Sequence, residues 1–168
     1  MEELWAQLKQ RFAETNPGLL ETLAAGASSV EIEALKRVIN LEQNDLFASL
    51  AAVNGQISSD SPLYQRFVLF SVSEIAANYA LMNEEVVPDR LESGLDLDEG
   101  ESVGPVKPQI WNAGWIPFAG DGGNFLCLDT DPDEGGSVGQ VFSWWRDGSA
   151  NTWIAENYTA WLEASVNA

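Results

Sequence analysis

Two short apolar runs, Trp111-Asn112-Ala113-Gly114-Trp115-Ile116-Pro117-Phe118-Ala119 and Phe125-Leu126-Cys127-Leu128-Asp129, are separated only by Gly120-Asp121-Gly122-Gly123-Asn124. Gly, Asp and Asn tolerate positive φ, so the chain can reverse between the runs and pair them as a β-hairpin. The residues before it are patterned mainly for helices, and those after it for more sheet and one closing helix, which puts the hairpin near the centre of the core. It holds no nucleophile with a base beside it, so it is expected to be packed or bound rather than to react.

Upstream, apolar residues recur at helical spacing. Leu4, Trp5, Leu8 and Phe12 lay a stripe along a helix ending near Thr15. Asn16-Pro17, a cap followed by a first-turn proline, restarts the chain through Leu19, Leu20 and Leu23 to a stop around Gly26. Ser28-Ser29 caps a third helix bearing Ile32, Leu35 and Ile39, and a fourth carries Leu46, Phe47, Leu50 and Val53 to a left-handed stop at Asn54-Gly55. Residues 56–62 read as a loop, and residues 66–70 have the composition of a strand. Ser71 and Glu74 have capping-box spacing; the helix they open, with Ile75, Tyr79, Met82 and Val86 on one face, is expected to run out before Pro88. Residues 88–108 lose periodicity and read as a long surface loop. Residues 139–145 read as a strand, and residues 157–166 as a helix with an Asn157 cap and an inward stripe of Tyr158, Trp161 and Leu162.

Composition narrows the function. The chain, 1–168, suits a single domain with a real core. Its 26 acids and 8 bases leave a net charge of −18 with no basic patch, which excludes nucleic acid and favours a basic protein partner, although the same charge also serves solubility. Histidine is absent, which removes the commonest general base, the commonest metal ligand and every Ser-His or Cys-His pair, so the chain is expected to be no enzyme and to need no cofactor. Cys127 has no partner for an internal disulfide and lies in an apolar run, as a buried thiol of a cytoplasmic protein does. No leader precedes the first helix and no apolar run approaches the roughly 18 residues of a membrane span, so no membrane partner is expected.

Three places stand out as candidate partner-binding sites. Glu84, Glu85, Asp89, Glu92, Asp96, Asp98, Glu99 and Glu101 crowd together opposed only by Arg90, either as a solvated connector or as a docking surface for a basic partner. Asp131, Asp133 and Glu134 follow Asp129 in a carboxylate-rich turn. It does not match a calcium loop: counted from Asp129, the glycine and glutamate positions of an EF-hand fall on Glu134 and Gln140, and Pro132 stiffens the middle. Trp144 and Trp145, adjacent in a strand, point to opposite faces; one belongs in the core, and the other is either covered by a helix or left as an aromatic anchor.

Asn54-Gly55 ending a helix, Trp111-x-x-x-Trp115-Ile116-Pro117-Phe118, Asp121-Gly122-Gly123-Asn124 running into Leu126-Cys127-Leu128-Asp129, Gly139-Gln140-Val141, and Tyr158-x-x-Trp161-Leu162 together resemble the SUKH superfamily, in that order and over residues 31–162. This group joins the yeast cell-wall assembly regulator to many bacterial immunity proteins. The resemblance implies a compact α+β domain, a central and mainly antiparallel sheet wrapped by helices, with no catalytic residues. Bacterial members bind and neutralise toxins, often nucleases, and fungal members scaffold cell-wall signalling. Where members often carry Leu-Pro before the helix ending in Asn-Gly, this chain has Leu41-Glu42. The N-terminal helical segment and the acids around 96–101 lie outside the pattern. Of the signature residues, Trp111 and Trp115 are expected in the core, Pro117 at an edge or bulge, and Asp121 and Asn124 in service of the turn.

The sequence therefore points to a binding protein, an immunity protein that occludes a cationic toxin. A regulatory module for cell-wall or glucan assembly is the second reading, resting more on apolar contacts. The third is a carboxylate-based hydrolase or cation-binding protein using Asp121, Asp129, Asp131 and Asp133.

Overall fold

The computed structural model describes residues 1–94 and 96–165. The strands are β1 (Val68–Leu69), β2 (Ser102–Val103), β3 (Trp115–Asp121), β4 (Asn124–Asp129), β5 (Gln140–Trp144) and β6 (Asn151–Ala155). They form one sheet in the order β1-β3-β4-β5-β6-β2, antiparallel throughout except where β2 runs parallel to β6. The expected hairpin is β3–β4. It turns on Gly122 and Gly123 alone, at φ 56° and 96°, the pair of positive values that a two-residue turn needs to match the twist of its strands. Trp111 to Gly114 precede β3 and lie outside the strand.

Alternation along these strands divides the core into two. Leu126 and Leu128 face one side of the sheet, Phe125 and Cys127 the other, and Val141 and Phe142 divide in the same way. Pro117 sits where the β3–β4 register shifts: Pro117 pairs with Cys127 and Ala119 with Leu126, so Phe118 has no partner on β4. Its carbonyl instead accepts from Phe70 N–H at 2.9 Å. The bulge gives the proline, which has no N–H to donate, a place in an interior strand, and it sends Phe118 and Ala119 to the same face.

That face is covered by helices α1 (Glu2–Thr15), α2 (Pro17–Thr22), α3 (Ser29–Ile39), α4 (Asp45–Ala52), α5 (Val72–Ala80) and α7 (Tyr158–Ser165). Their starts are written locally. Asn16, Ser28, Asn44, Ser71 and Asn157 each accept a backbone N–H in the first turn, and Glu31 and Glu74 close the reciprocal boxes. Buried polar contacts then tie helices together: Trp5 Nε1 donates to Ser49 Oγ at 2.8 Å, and Ser49 Oγ meets the Tyr158 hydroxyl at 2.9 Å. α4 ends earlier than expected, at Ala52 with Val53 extended at φ −147°, so Asn54-Gly55 is not its left-handed stop but a tie to the next helix. Asn54 Oδ1 accepts from Val72 N–H at 2.8 Å, and Gly55, at φ 78°, packs so closely on the chain at Ser71 that a Cβ would lie 2.5 Å from Ser71 N. Val166, where the closing helix was expected to end, lies outside the described residues.

The second face is covered differently, and here the sequence reading needs correction. The helix opened by Ser71 does not stop before Pro88. It passes through a π-helical turn (Leu81–Val86), in which Val87 N–H reaches back five residues to Met82 O, and continues as α6 (Val87–Glu92). Pro88 falls in the first turn of α6, where a missing N–H costs little, and the wider π spacing relieves the clash that would end an ordinary helix. The expected 88–108 loop is therefore helical to Glu92 and is pinned again further on. Ser102 and Val103 pair with Asn151 and Thr152, and Val106 is fully buried. Leu95, within it, lies outside the described residues.

Candidate partner-binding surface

The second core supports the surface above it. Trp111 stands nearly perpendicular to Trp115 and to Trp144, with ring centroids 5.7 and 5.4 Å away. Its indole N–H donates to Asn83 Oδ1 of the π turn at 3.2 Å, while Trp144 Nε1 donates to Ile110 O at 2.7 Å. Each indole thus buries its body and spends its N–H on fastening a covering segment; burial of a ring of about 200 Å² is worth about 5 kcal/mol of transfer free energy. Trp111 and Trp115 are core, as expected. Of the adjacent pair, Trp144 is core as well, and Trp145 faces the helical side, half-buried beside Phe67 at 5.9 Å. The tryptophan that reaches solvent is Trp153, 40% exposed on β6. The sequence reading had no strand there, although Asp147-Gly148 followed by Thr152-Trp153-Ile154 carries the turn and the alternation that signal one.

The fastened segments carry the first acidic group. Glu84 and Glu85 project from the π turn, Asp89 and Glu92 from α6, and Asp96, Asp98, Glu99 and Glu101 from the chain leading into β2; all are exposed. That chain is anchored by Gly100 N–H to Pro108 O at 3.0 Å, Ile110 N–H to Leu97 O at 2.7 Å and Asn151 N–H to Glu101 O at 2.8 Å. The second acidic group, Asp131, Asp133 and Glu134, is joined to the first by a relay of side-chain amides. Gln109 Nε2 donates to Asp98 at 2.6 Å, Asn112 Nδ2 donates to Gln109 Oε1 at 2.8 Å, and the same Asn112 nitrogen donates to Asp131 at 2.8 Å. Lys107 pairs with Asp131 at 2.6 Å. The hydrogen bonds from Lys107 and Asn112 hold the Asp131 carboxyl below its ordinary value. Gln109, Asn112 and Lys107 were not singled out in the sequence, since only their position between two acidic groups distinguishes them.

The four carboxylates of the cation-binding reading go to separate tasks. Asp121 pairs with Arg66 across the sheet edge. Asp129 is fully buried at the end of β4, accepting from Gln140 Nε2 at 2.9 Å and Asp131 N–H at 3.0 Å, and burial raises its carboxyl above the ordinary value. Asp131 belongs to the relay, and Asp133 accepts from Glu134 N–H at 2.9 Å. Among the described residues no three carboxylate or thiol groups converge on a shared ion position. Cys127, buried between Phe125 and Phe142 on the second face, has its thiol pushed well up by burial. Asn124 flanks the turn but spends its side chain elsewhere: its Oδ1 accepts from Arg146 N–H at 3.1 Å. Among the described residues no helix is long and apolar enough to cross a membrane.

No curated protein matches this chain in sequence. The sequence profile of the SMI1 / KNR4 family (SUKH-1) matches residues 26–164, most of the chain, in agreement with the signature residues and the α+β fold built on them. The chain therefore belongs to the SMI1 / KNR4 family (SUKH-1).

Proposed function

We propose that the protein is a single-domain, non-enzymatic binding module that acts in the cytoplasm as an immunity protein, occluding a basic toxin through the surface formed by α6, the 96–101 segment and the 131–134 turn. The observation that carries this reading is the relay from Asp98 through Gln109 and Asn112 to Asp131, which ties a member of the first acidic group to a member of the second. A pre-ordered negative surface loses little side-chain entropy on binding and accelerates encounter with a cation-rich partner. If the toxin is a nuclease, these carboxylates occupy the place of phosphates, and affinity falls steeply with salt.

Co-expression with the product of the neighbouring gene tests the reading. Protection of the cells, with a complex on a sizing column that dissociates as salt rises, is the expected result. Changing Asp98 and Asp131 together to asparagine should slow association several-fold at low salt. No protection and no complex at low salt would rule the proposal out. Trp153, exposed on β6 where it packs against Gly104, favours a second reading as an assembly scaffold for the cell envelope. A partner held at high salt and lost in Trp153→Ala would select it.

A further inference from the structure

The chain has 8 bases against 26 acids, yet among the described residues Lys36, Arg66 and Lys107 form ion pairs while Lys9, Arg37, Arg90 and Arg146 form none. Of these four, Arg90 and Arg146 share one site. Both line an apolar cleft of about 270 Å³. Its floor is the stacked pair Phe125 and Trp144, with centroids 5.5 Å apart and rings inclined by 21°. Leu81 and Val86 of the π turn line it as well, and Leu81 remains 42% exposed. The position of Arg146 is built into the hairpin. Asn124 holds its backbone N–H, and Gly123, at φ 96°, leaves a bed for its stem: a Cβ there would lie 3.2 Å from Arg146 Cδ. Gly123 of the turn and Asn124 at the start of β4 thus place a guanidinium at the cleft. Arg90 is half-buried and also lines a neighbouring polar cleft of about 200 Å³, together with Trp144, Glu99, Glu101, Gln109 and Asn151.

We propose that these joined clefts seat a segment of a partner polypeptide in which a bulky apolar side chain is followed by a carboxylate and then by a cation. The apolar side chain packs on Phe125 and Trp144. The carboxylate lies between the guanidiniums of Arg90 and Arg146, whose planar donors suit it in paired hydrogen bonds. The cation meets Glu99 and Glu101. The apolar cleft is smaller than the roughly 300–1,000 Å³ usual for small-molecule sites, and one anchoring side chain fills it, as at the centre of protein interfaces. Charge complementarity selects the occupant, because a purely basic segment would leave both arginines opposed by like charge. The proposal rests on the reading of the chain as a protein-binding module, but not on the acidic surface as the main contact.

The probe is the peptide N-acetyl-Gly-Phe-Asp-Lys-Gly-amide, titrated to millimolar concentration into nitrogen-15-labelled protein. The expected result is a saturable shift of the Trp144 indole and of the Arg146 backbone signal, weakened roughly tenfold when the peptide's Asp is replaced by Asn, and roughly tenfold in R90Q or R146Q. Melting curves that match the parent show that these variants are folded. Equal binding of the Asp and Asn peptides, or no shift at all, overturns the proposal. So does sodium octanoate, if it produces the arginine-dependent shifts and the peptide does not, which would assign the cleft to a small amphiphile. Toxin capture that survives R90Q and R146Q but is lost with the Asp98 and Asp131 changes refutes this inference alone; the reverse pattern refutes the acidic-surface reading alone.

Discussion

Replacing Gln56 by leucine should destabilise the protein more than any other change of similar size on its surface loops. Gln56 is 7% exposed and its amide makes four hydrogen bonds: Nε2 donates to Thr22 Oγ1 at 2.6 Å and Ser61 O at 2.8 Å, and Oε1 accepts from Leu63 N–H at 3.2 Å and Leu69 N–H at 3.1 Å. Its backbone N–H donates to Leu69 O at 3.0 Å, so Gln56 takes the place of a further strand along the outer edge of β1. Gln56→Leu keeps that backbone bond and the side-chain volume but strands the two N–H groups of buried Leu63 and Leu69, each at a cost of about 1–3 kcal/mol. The added apolar surface returns about 1 kcal/mol, which leaves a net loss of about 1–5 kcal/mol out of a total stability of about 5–15 kcal/mol. Urea unfolding followed by tryptophan fluorescence measures it; with a slope of about 2 kcal/mol/M the midpoint should fall by about 0.5–2.5 M. A loss under about 1 kcal/mol at unchanged slope would refute the argument, because it would mean that water or a shifted backbone satisfies both groups.

Other changes probe other parts of the structure. Asn54→Ala removes the acceptor for Val72 N–H and should cost about 1 kcal/mol, while Gly55→Ala, at positive φ with its Cβ against Ser71 N, should cost more; thermal melts rank the two. Cys127 should resist thiol reagents in the native state at mildly alkaline pH and react on unfolding in urea, since burial keeps the thiol protonated; rapid native labelling would contradict its placement. Because the folded-state pKa of Asp131 lies below its ordinary 3.8, its contribution to stability is present above that value and is lost as pH falls through the lowered one. The pair with Lys107 is exposed and worth under about 1 kcal/mol, so Lys107→Met should lower the neutral plateau of a stability–pH profile by no more than that amount and flatten its acid limb correspondingly, leaving the acid end unchanged.

What could be read in the chain was what its residues decide among near neighbours. The capping boxes at Ser28 and Ser71 involve residues three apart, and the Gly122-Gly123 turn needs no distant partner, so helix starts and hairpin were legible. The bulge at Pro117 followed from one missing N–H. The same local logic failed at Pro88, where a π turn absorbs the proline, and between residues 100 and 110, where β2 is held by Asn151 and Thr152, 49 residues later in sequence, and Val106 is buried in the second core. For the candidate surface, the acids were visible as composition. Their union through Gln109 and Asn112, and the arginine cleft set up by Gly123 and Asn124, depend on tertiary placement that no periodicity encodes.

The parallel pairing of β2 with β6 fixes when the surface comes into being. β2 lies before the β3–β6 meander in sequence, yet its partner strand is the last of the sheet. During synthesis at about 5–20 residues per second, the acidic segment leaves the ribosome seconds before the strand that anchors it. Until Asn151 arrives to receive Ser102 and bond Glu101, those carboxylates have no ordered frame. The surface proposed for binding therefore takes shape only in chains that have nearly finished folding, and a truncated copy would carry the same charge without that ordered frame.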